Sequence, residues 1–343
     1  MQSNFLHNWY MVSVIGALSI IALIVGKTLF IPLTLGLFLA LTLTPIVSWL
    51  TARKFPPVLA IITTFFGTLI IIGIIGSVVG IAINDFASQA PQYLENAEQN
   101  ISAAKSIVFE KLPINEQEIF DSLNPQSFSN IGLKTLSNIL TTTGAITAAI
   151  GFTVITTFLL LLYRMRIKKF FEMIASKNHQ ENIHTIARKS FSILPRYMLG
   201  MIFVIGIMSV INSFGFWLIG VPSPLFWGIM VALLNVIPYI GPFIGFGTVV
   251  LFSLIVAGPS VALFAIGMFL IAQFIDNNFL TPVVAGGQIS INPLASIIAI
   301  FIWGMLWGVI GMVLALPILG LIKIICDTIP KLQPIGYLLG DKD

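Results

Sequence analysis

The chain has 343 residues, 57% of them hydrophobic and only 9% charged, with a mean hydropathy of +1.01. Soluble domains carry about 25% charged residues, so a water-soluble globule is excluded and a polytopic membrane protein is expected. The formal charge of +4 is no sign of nucleic-acid binding, because the basic residues gather in one loop between apolar runs; the single cysteine, Cys326, excludes an intramolecular disulfide framework and a cysteine-based metal site.

In chain order, apolar runs of about membrane length occupy 9–26, 29–50, 58–83, 144–163 and 197–219, followed by 225–237, 240–257, 261–275 and 294–325. A helix needs about 20 residues to cross about 30 Å of hydrocarbon, whereas outer-membrane strands would read as alternating segments of about ten. Strict alternation is absent, so the expected fold is all-α, with about eight membrane-embedded segments including broken or re-entrant helices. The first run lacks the Lys or Arg flank of a signal peptide and is followed almost at once by a second, so it is expected to be a retained helix. The run 225–237 is too short to span unaided. The run 294–325 is too long, with Pro317 available to break it.

Two hydrophilic stretches of opposite charge interrupt the pattern. Residues 84–143 hold seven acids and three lysines, a net of −4, and residues 164–196 hold eight Lys or Arg and two acids, a net of +6. Cytoplasmic loops carry the excess of Lys and Arg, which puts 164–196 inside, 84–143 outside and the N-terminus in the cytoplasm. The expected organisation is therefore membrane helices over 1–83, an extracytoplasmic helical segment over 84–143, a membrane helix over 144–163 and a basic cytoplasmic helical segment over 164–196. A membrane transport core over 197–326 and a tail over 327–343 complete it. Within the outer segment Ala90, Tyr93, Leu94, Ala97, Ile101, Ala104 and Val108 recur at spacings of three and four, one face of a helix that continues the third run. Its partner is expected to be either a second outer helix (Phe128, Ile131, Leu136, Leu140) or a neighbouring subunit.

Between Arg196 and Lys323 lie 126 residues with one charge, Asp276. A carboxylate at membrane depth costs a few kcal/mol even on lenient scales, so it should be paired, solvated in a cavity or protonated. Gln273, Asp276 and Asn277 fall at spacings of three and four and would share a helical face; they read either as a titrating carboxylate flanked by amides or as a helix end before Pro282. Upstream, Asn235-Val-Ile-Pro-Tyr-Ile-Gly-Pro-Phe-Ile-Gly245 crowds Pro238, Gly241, Pro242 and Gly245 into a helix-stopping string. Irregular backbone at membrane depth survives only where it is buried in protein or lines a cavity, and broken helices of this kind form transporter sites; an ordinary surface turn is the other reading. Close helix packing is expected at Gly76 and Gly80, Gly241 and Gly245, and Gly304 and Gly308. The three histidines, His7, His179 and His184, lie outside the apolar runs, and no metalloprotease, serine-hydrolase, phosphate-loop or intramembrane aspartyl motif is present. Neither an enzyme nor a cofactor is expected.

The string from Trp227 to Gly245, then Gln273-Phe-Ile-Asp-Asn-Asn-Phe-Leu-Thr-Pro282, Asn292-Pro293 and Gly308-Val-Ile-Gly-Met-Val-Leu-Ala-Leu-Pro317, resembles the autoinducer-2 exporter (AI-2E) family of prokaryotic membrane transporters. The resemblance covers about 195–325 specifically and extends more weakly to Phe30-Ile-Pro32, Thr44-Pro45 and Phe55-Pro56-Pro57. It implies a multi-pass inner-membrane protein, a homo-oligomer and a secondary transporter, with either a small signalling molecule or sodium or lithium exchanged for protons as cargo. Carried over by residue, Asn235, Pro238, Tyr239, Gly241, Pro242 and Gly245 match the broken-helix signature, and Gln273, Asp276, Asn277 and Pro282 the polar one. A cation-selective oligomeric channel and a non-transporting scaffold that recruits a partner through 88–112 are the rival readings.

Overall fold

The computed structural model describes residues 2–108, 143–174, 180–282 and 291–341. Among them the chain forms α1 (Gln2–Val25), α2 (Lys27–Ala52), α3 (Pro57–Val108), α4 (Thr143–Ile174), α5 (Gln180–Ile219), α6 (Pro224–Leu234), α7 (Ile240–Val256), α8 (Pro259–Ile275), α9 (Pro293–Thr328) and α10 (Gln333–Leu339). Six helices are long and apolar enough to cross a membrane, and Val14–Val25, Pro224–Leu234 and Ile240–Val256 are shorter apolar helices. The protein is therefore an all-helical polytopic membrane protein, as its hydropathy requires.

The chain divides into two compact units, one made of 1–65, 147–199 and 287–343, the other of 66–146 and 200–286. In the first, Ala40, Leu43 and Val47 of α2 pack on Ala60 and Ile61 at the start of α3 and on Leu161 of α4. A second cluster joins Phe38 and Leu41 to Leu194, Trp307 and Leu314, and the Trp307 indole donates to the carbonyl of Leu23 at 3.1 Å. Trp307 is thus a core residue of this unit.

Helix α9 is a hairpin of two arms, broken at Gly308 (φ 64°, ψ −145°), a backbone region that essentially only glycine occupies. The expected break at Pro317 is not there: Pro317 is buried inside the second arm. A helix can lose one N–H donor and stay straight enough to pack, but no L side chain follows the path taken at residue 308. Just beside this break the turn is tight, since a Cβ on Gly311 would fall on the carbonyl oxygen of Trp303 and one on Gly304 would meet Met312. Both ends of the hairpin meet the C-terminal segment. The Asn292 side chain accepts from the Ala295 amide at 2.7 Å and donates to the Leu338 and Gly340 carbonyls, while Lys323 pairs with Asp327 at 2.8 Å and donates to Gly336.

In the second unit α6 and α7 form another hairpin, joined by residues 235–239. Their 11 and 17 residues span about 16 and 25 Å, so neither arm reaches the usual span length. Lipid tails are as apolar as these side chains, so close approach rather than water exclusion holds the arms together. A Cβ on Gly241 would fall on the Leu234 carbonyl oxygen, one on Gly245 would sit 3.3 Å from the Val231 Cα, and one on Gly228 would strike Ser213 of α5. A Cβ on Gly76 or Gly80, by contrast, would meet nothing within 4 Å among the described residues, so the expected close packing there is not made by them. Met208, Phe216, Val231, Phe246, Val249, Ala265 and Ala272 form the core that α5, α6, α7 and α8 share.

Helix α3 runs unbroken for 52 residues, well past the third apolar run. Tyr93 of the outer stripe and its neighbours Asp85, Phe86 and Asn100 pack on the base of the α6–α7 hairpin, while Leu94 of the stripe is exposed. Tyr93 Oη lies 2.7 Å from Ser223 Oγ, Ser223 Oγ donates to Asp85 at 3.2 Å, and Phe86 stacks on Phe226 with centroids 4.2 Å apart. Asn100 donates to the carbonyls of Ile255 and Val256, satisfying the open end of α7. The expected partner residues Phe128, Ile131, Leu136 and Leu140 lie outside the described residues.

Candidate functional site

The α6–α7 tip is built by proline chemistry. Pro238 and Pro242 cannot donate, so α6 stops at Leu234 and α7 restarts at Ile240. Between them Tyr239 has φ 65° and ψ −56°, and the Ile240 amide donates back to the Pro238 carbonyl at 2.7 Å. That is a γ-turn with positive φ at its centre, a rare and strained geometry for a residue with a side chain. Tyr239 is half exposed, so burial of its ring does not hold it there; the closing hydrogen bond and the seat of Gly241 against Leu234 do.

Helix α8 does not end at Asp276. It widens into a π-helix, Asp276–Leu280, and carries on to Pro282. Pro282 lacks the N–H that an α-helix would give to Asn278. The wider turn lets the Thr281 amide bond the Asp276 carbonyl, and the Asn278 side chain turns back onto the Phe274 carbonyl at 2.9 Å. Single-turn π segments of this kind concentrate at functional sites.

These two irregularities meet. Asp276 is 6% exposed, and its carboxylate accepts from Asn235 Nδ2 at 2.7 Å and from Thr281 Oγ1 at 3.0 Å. Asn235 is the residue that closes α6, so the break in one hairpin is tied to the break at the end of α8. Of the sequence candidates, Asn235 and Asp276 are brought into direct contact, Pro238, Tyr239 and Pro242 shape the tip, and Gly241 and Gly245 let the arms approach. Gln273 is half-buried, and Asn277 is exposed rather than turned with Asp276 into the protein. Thr281 is a site residue that α-helical spacing does not pick out. Residues five apart do not share a face of an α-helix, but in the wider turn Thr281 stacks over Asp276.

The electrostatics of the site are unbalanced in a useful way. Two hydrogen bonds to a charged group contribute about 1.5–3 kcal/mol each, comparable with the several kcal/mol that burying one ion costs. No Lys, Arg or His lies between Arg196 and Lys323, so no cationic side chain from this run completes the balance. One carboxylate, with a neutral amide and a hydroxyl donating to it, offers a small cation or a proton its own two oxygens. Among the described residues no group of three or more His, Cys, Asp or Glu is arranged to hold a metal ion.

Comparison with known proteins places the whole chain in a family. The profile of the AI-2E family transporter matches residues 13–331. YrrI of Bacillus subtilis (strain 168) is 26% identical over 317 residues, covering 88% of this chain and 86% of its own length. YhhT of Escherichia coli (strain K12) is 22% identical, covering 90% and 87%. The AI-2 transport protein TqsA of Escherichia coli (strain K12) is 24% identical over 319 residues, covering 91% and 89%. A family match across nearly the whole length of an all-helical membrane chain leaves one conclusion: this protein belongs to the AI-2E family of membrane transporters.

Proposed function

We propose that the protein is a secondary transporter that exchanges a monovalent cation such as sodium for protons, with Asp276 as the group that carries first one and then the other. The observation that supports this is the buried carboxylate bridged by Asn235 and Thr281 at a double helix break. A single negative charge with only neutral groups beside it suits a monovalent cation better than a divalent one, and a tip held by one strained turn is suited to opening and closing. Assembly as a homo-oligomer, implied by the family, belongs to the same reading. So does a cytoplasmic N-terminus: after Cys326→Ser, a cysteine introduced by Glu95→Cys is expected to react with an impermeant maleimide in intact cells, and one introduced by Arg188→Cys is not. The reverse pattern overturns the orientation.

Asp276→Asn tests the carboxylate. It keeps the shape and at least one of the two hydrogen bonds while removing the charge, so the protein should fold. In proteoliposomes with a trapped pH-sensitive dye, wild type is expected to move protons in exchange for sodium down an imposed sodium gradient. The variant should lose at least about tenfold of that flux at every pH. Full flux in Asp276→Asn, or ohmic current without saturation in wild type, would sink the reading.

The relative named as an AI-2 transport protein favours a second reading, efflux of a small polar signalling molecule. Efflux of AI-2 from loaded vesicles, with no sodium-dependent proton movement, would select it.

A further inference from the structure

Asn212 is wholly buried in the second half of α5, and neither its Oδ1 nor its Nδ2 has a hydrogen-bond partner among the described residues. Leaving such groups unpaired forfeits their hydration without return, and a leucine of similar size would fill the position without that cost. Met208 and Phe216, one turn to either side on the same face, both belong to the core shared with Val249, Ala265 and Ala272. The amide therefore points into the middle of the unit, among apolar side chains that offer it nothing.

The register of the helices says what lies nearby. Helix α5 ends, and α8 begins, at the end of the unit where the α6–α7 hairpin has its base, so α5 and α8 run in opposite directions. Gly215 sits against Met268. From that level Asn212 lies three residues, about 4.5 Å, and Asp276 eight residues, about 12 Å, away from the hairpin base. The contact of Gly228 with Ser213 gives the same answer through α6, with Asn235 seven residues beyond Gly228. Asn212 is thus about 8 Å from the level of Asp276 along the helix axes, on the hairpin-base side. Ala272, with no exposure, occupies the intervening turn of α8 with the smallest side chain that helix can carry there.

We propose that Asn212 is a second binding station for the transported monovalent cation, a neutral carboxamide ligand held about one and a half helical turns from the carboxylate, on the path between Asp276 and the hairpin base. The inference rests on the reading of Asp276 given above. The spacing is too long for a direct hydrogen bond and suits an ion that moves with one or two waters from amide to carboxylate. An amide binds without neutralising, so it slows the ion little on its way.

The test is Asn212→Leu, measured beside wild type and Asp276→Asn in the same sodium-driven proton-flux assay, together with thermal unfolding in detergent. The expected result is a protein at least as heat-stable as wild type, because an unpaired amide has been removed, that has nonetheless lost about tenfold of its flux. A second variant, Asn212→Ser, keeps a shorter oxygen ligand and is expected to retain flux with the half-saturating sodium concentration raised several-fold. If Asn212→Leu is more stable and transports fully, Asn212 is only an unpaired core amide and the proposal fails. If the leucine variant does not fold, an unchanged sodium dependence in Asn212→Ser overturns it equally. Full flux in Asp276→Asn strikes the underlying reading instead; loss of flux there with full flux in Asn212→Leu strikes this inference alone.

Discussion

The two helical hairpins of this protein are broken by different means. At Gly308 one glycine in a conformation closed to other residues turns α9 back on itself, and the side chains beside the turn, Trp303, Trp307 and Met312, are apolar or, in Trp307, tied by the indole to a backbone carbonyl of α1. At 235–239 the turn is made by proline and by a strained tyrosine, and its first residue, Asn235, donates to a buried carboxylate. The glycine break is the cheaper design, because glycine adopts positive φ without steric cost. The tip at 235–239 uses the dearer solution and joins it to the one charge in a 126-residue run, which is what the proposed transport role would require.

The contrast makes the glycine break the place where substitution should hurt stability most. Gly308→Ala forces a Cβ into a region reserved for glycine and is expected to cost about 2–3 kcal/mol, seen as a lower midpoint in thermal unfolding of the purified protein, with less protein surviving extraction. A variant as stable as wild type would mean that α9 can turn elsewhere. The opposite sign is expected at the other tip. Tyr239→Gly relieves the γ-turn and should stabilise the fold by about 1 kcal/mol, the strain released less the extra freedom glycine gains when unfolded. If the strain serves the transport cycle, the more stable variant should also turn over more slowly in the flux assay. A loss of stability would show that the tyrosine ring, rather than the turn, holds the tip.

Much of this was legible in the residues themselves, for reasons that also explain where legibility stopped. The helical membrane class follows from run length and charge, which act locally. Asn235 and Asp276 each stand out alone, one beside a proline–glycine string and the other as a lone charge, but they are 41 residues apart and nothing local announces that they bond. Thr281 stays hidden because a period of 3.6 is the wrong ruler where the helix opens to a π turn. Asn212 is one amide in an apolar run, without a pattern to mark it. The outer stripe of α3 was visible as a stripe, yet the described partners of its Tyr93, Ser223 and Phe252, lie in a hairpin base whose return to that level depends on where the chain folds back.

The misplaced break in α9 supplies the smallest expected effect. Proline in a helix interior removes one hydrogen bond and crowds the carbonyl four residues back, which makes Pro317 the natural suspect in a run too long to span once. Inside a packed membrane protein that penalty is softened, because neighbouring helices and small backbone adjustments accommodate the freed carbonyl, and Pro317 is buried, as are Leu314, Ala315, Leu319 and Gly320 of the same arm. Pro317→Ala restores a donor, a gain of about 1 kcal/mol, and removes ring carbons whose packing is of about the same size. The two nearly cancel, so the unfolding midpoint should move by an amount equivalent to a few tenths of a kcal/mol. The measurement that matters is the pair: Gly308→Ala and Pro317→Ala purified side by side, with the glycine variant clearly the weaker. If the proline variant is the one that collapses, the chain turns at Pro317, and the hairpin description of α9 is wrong.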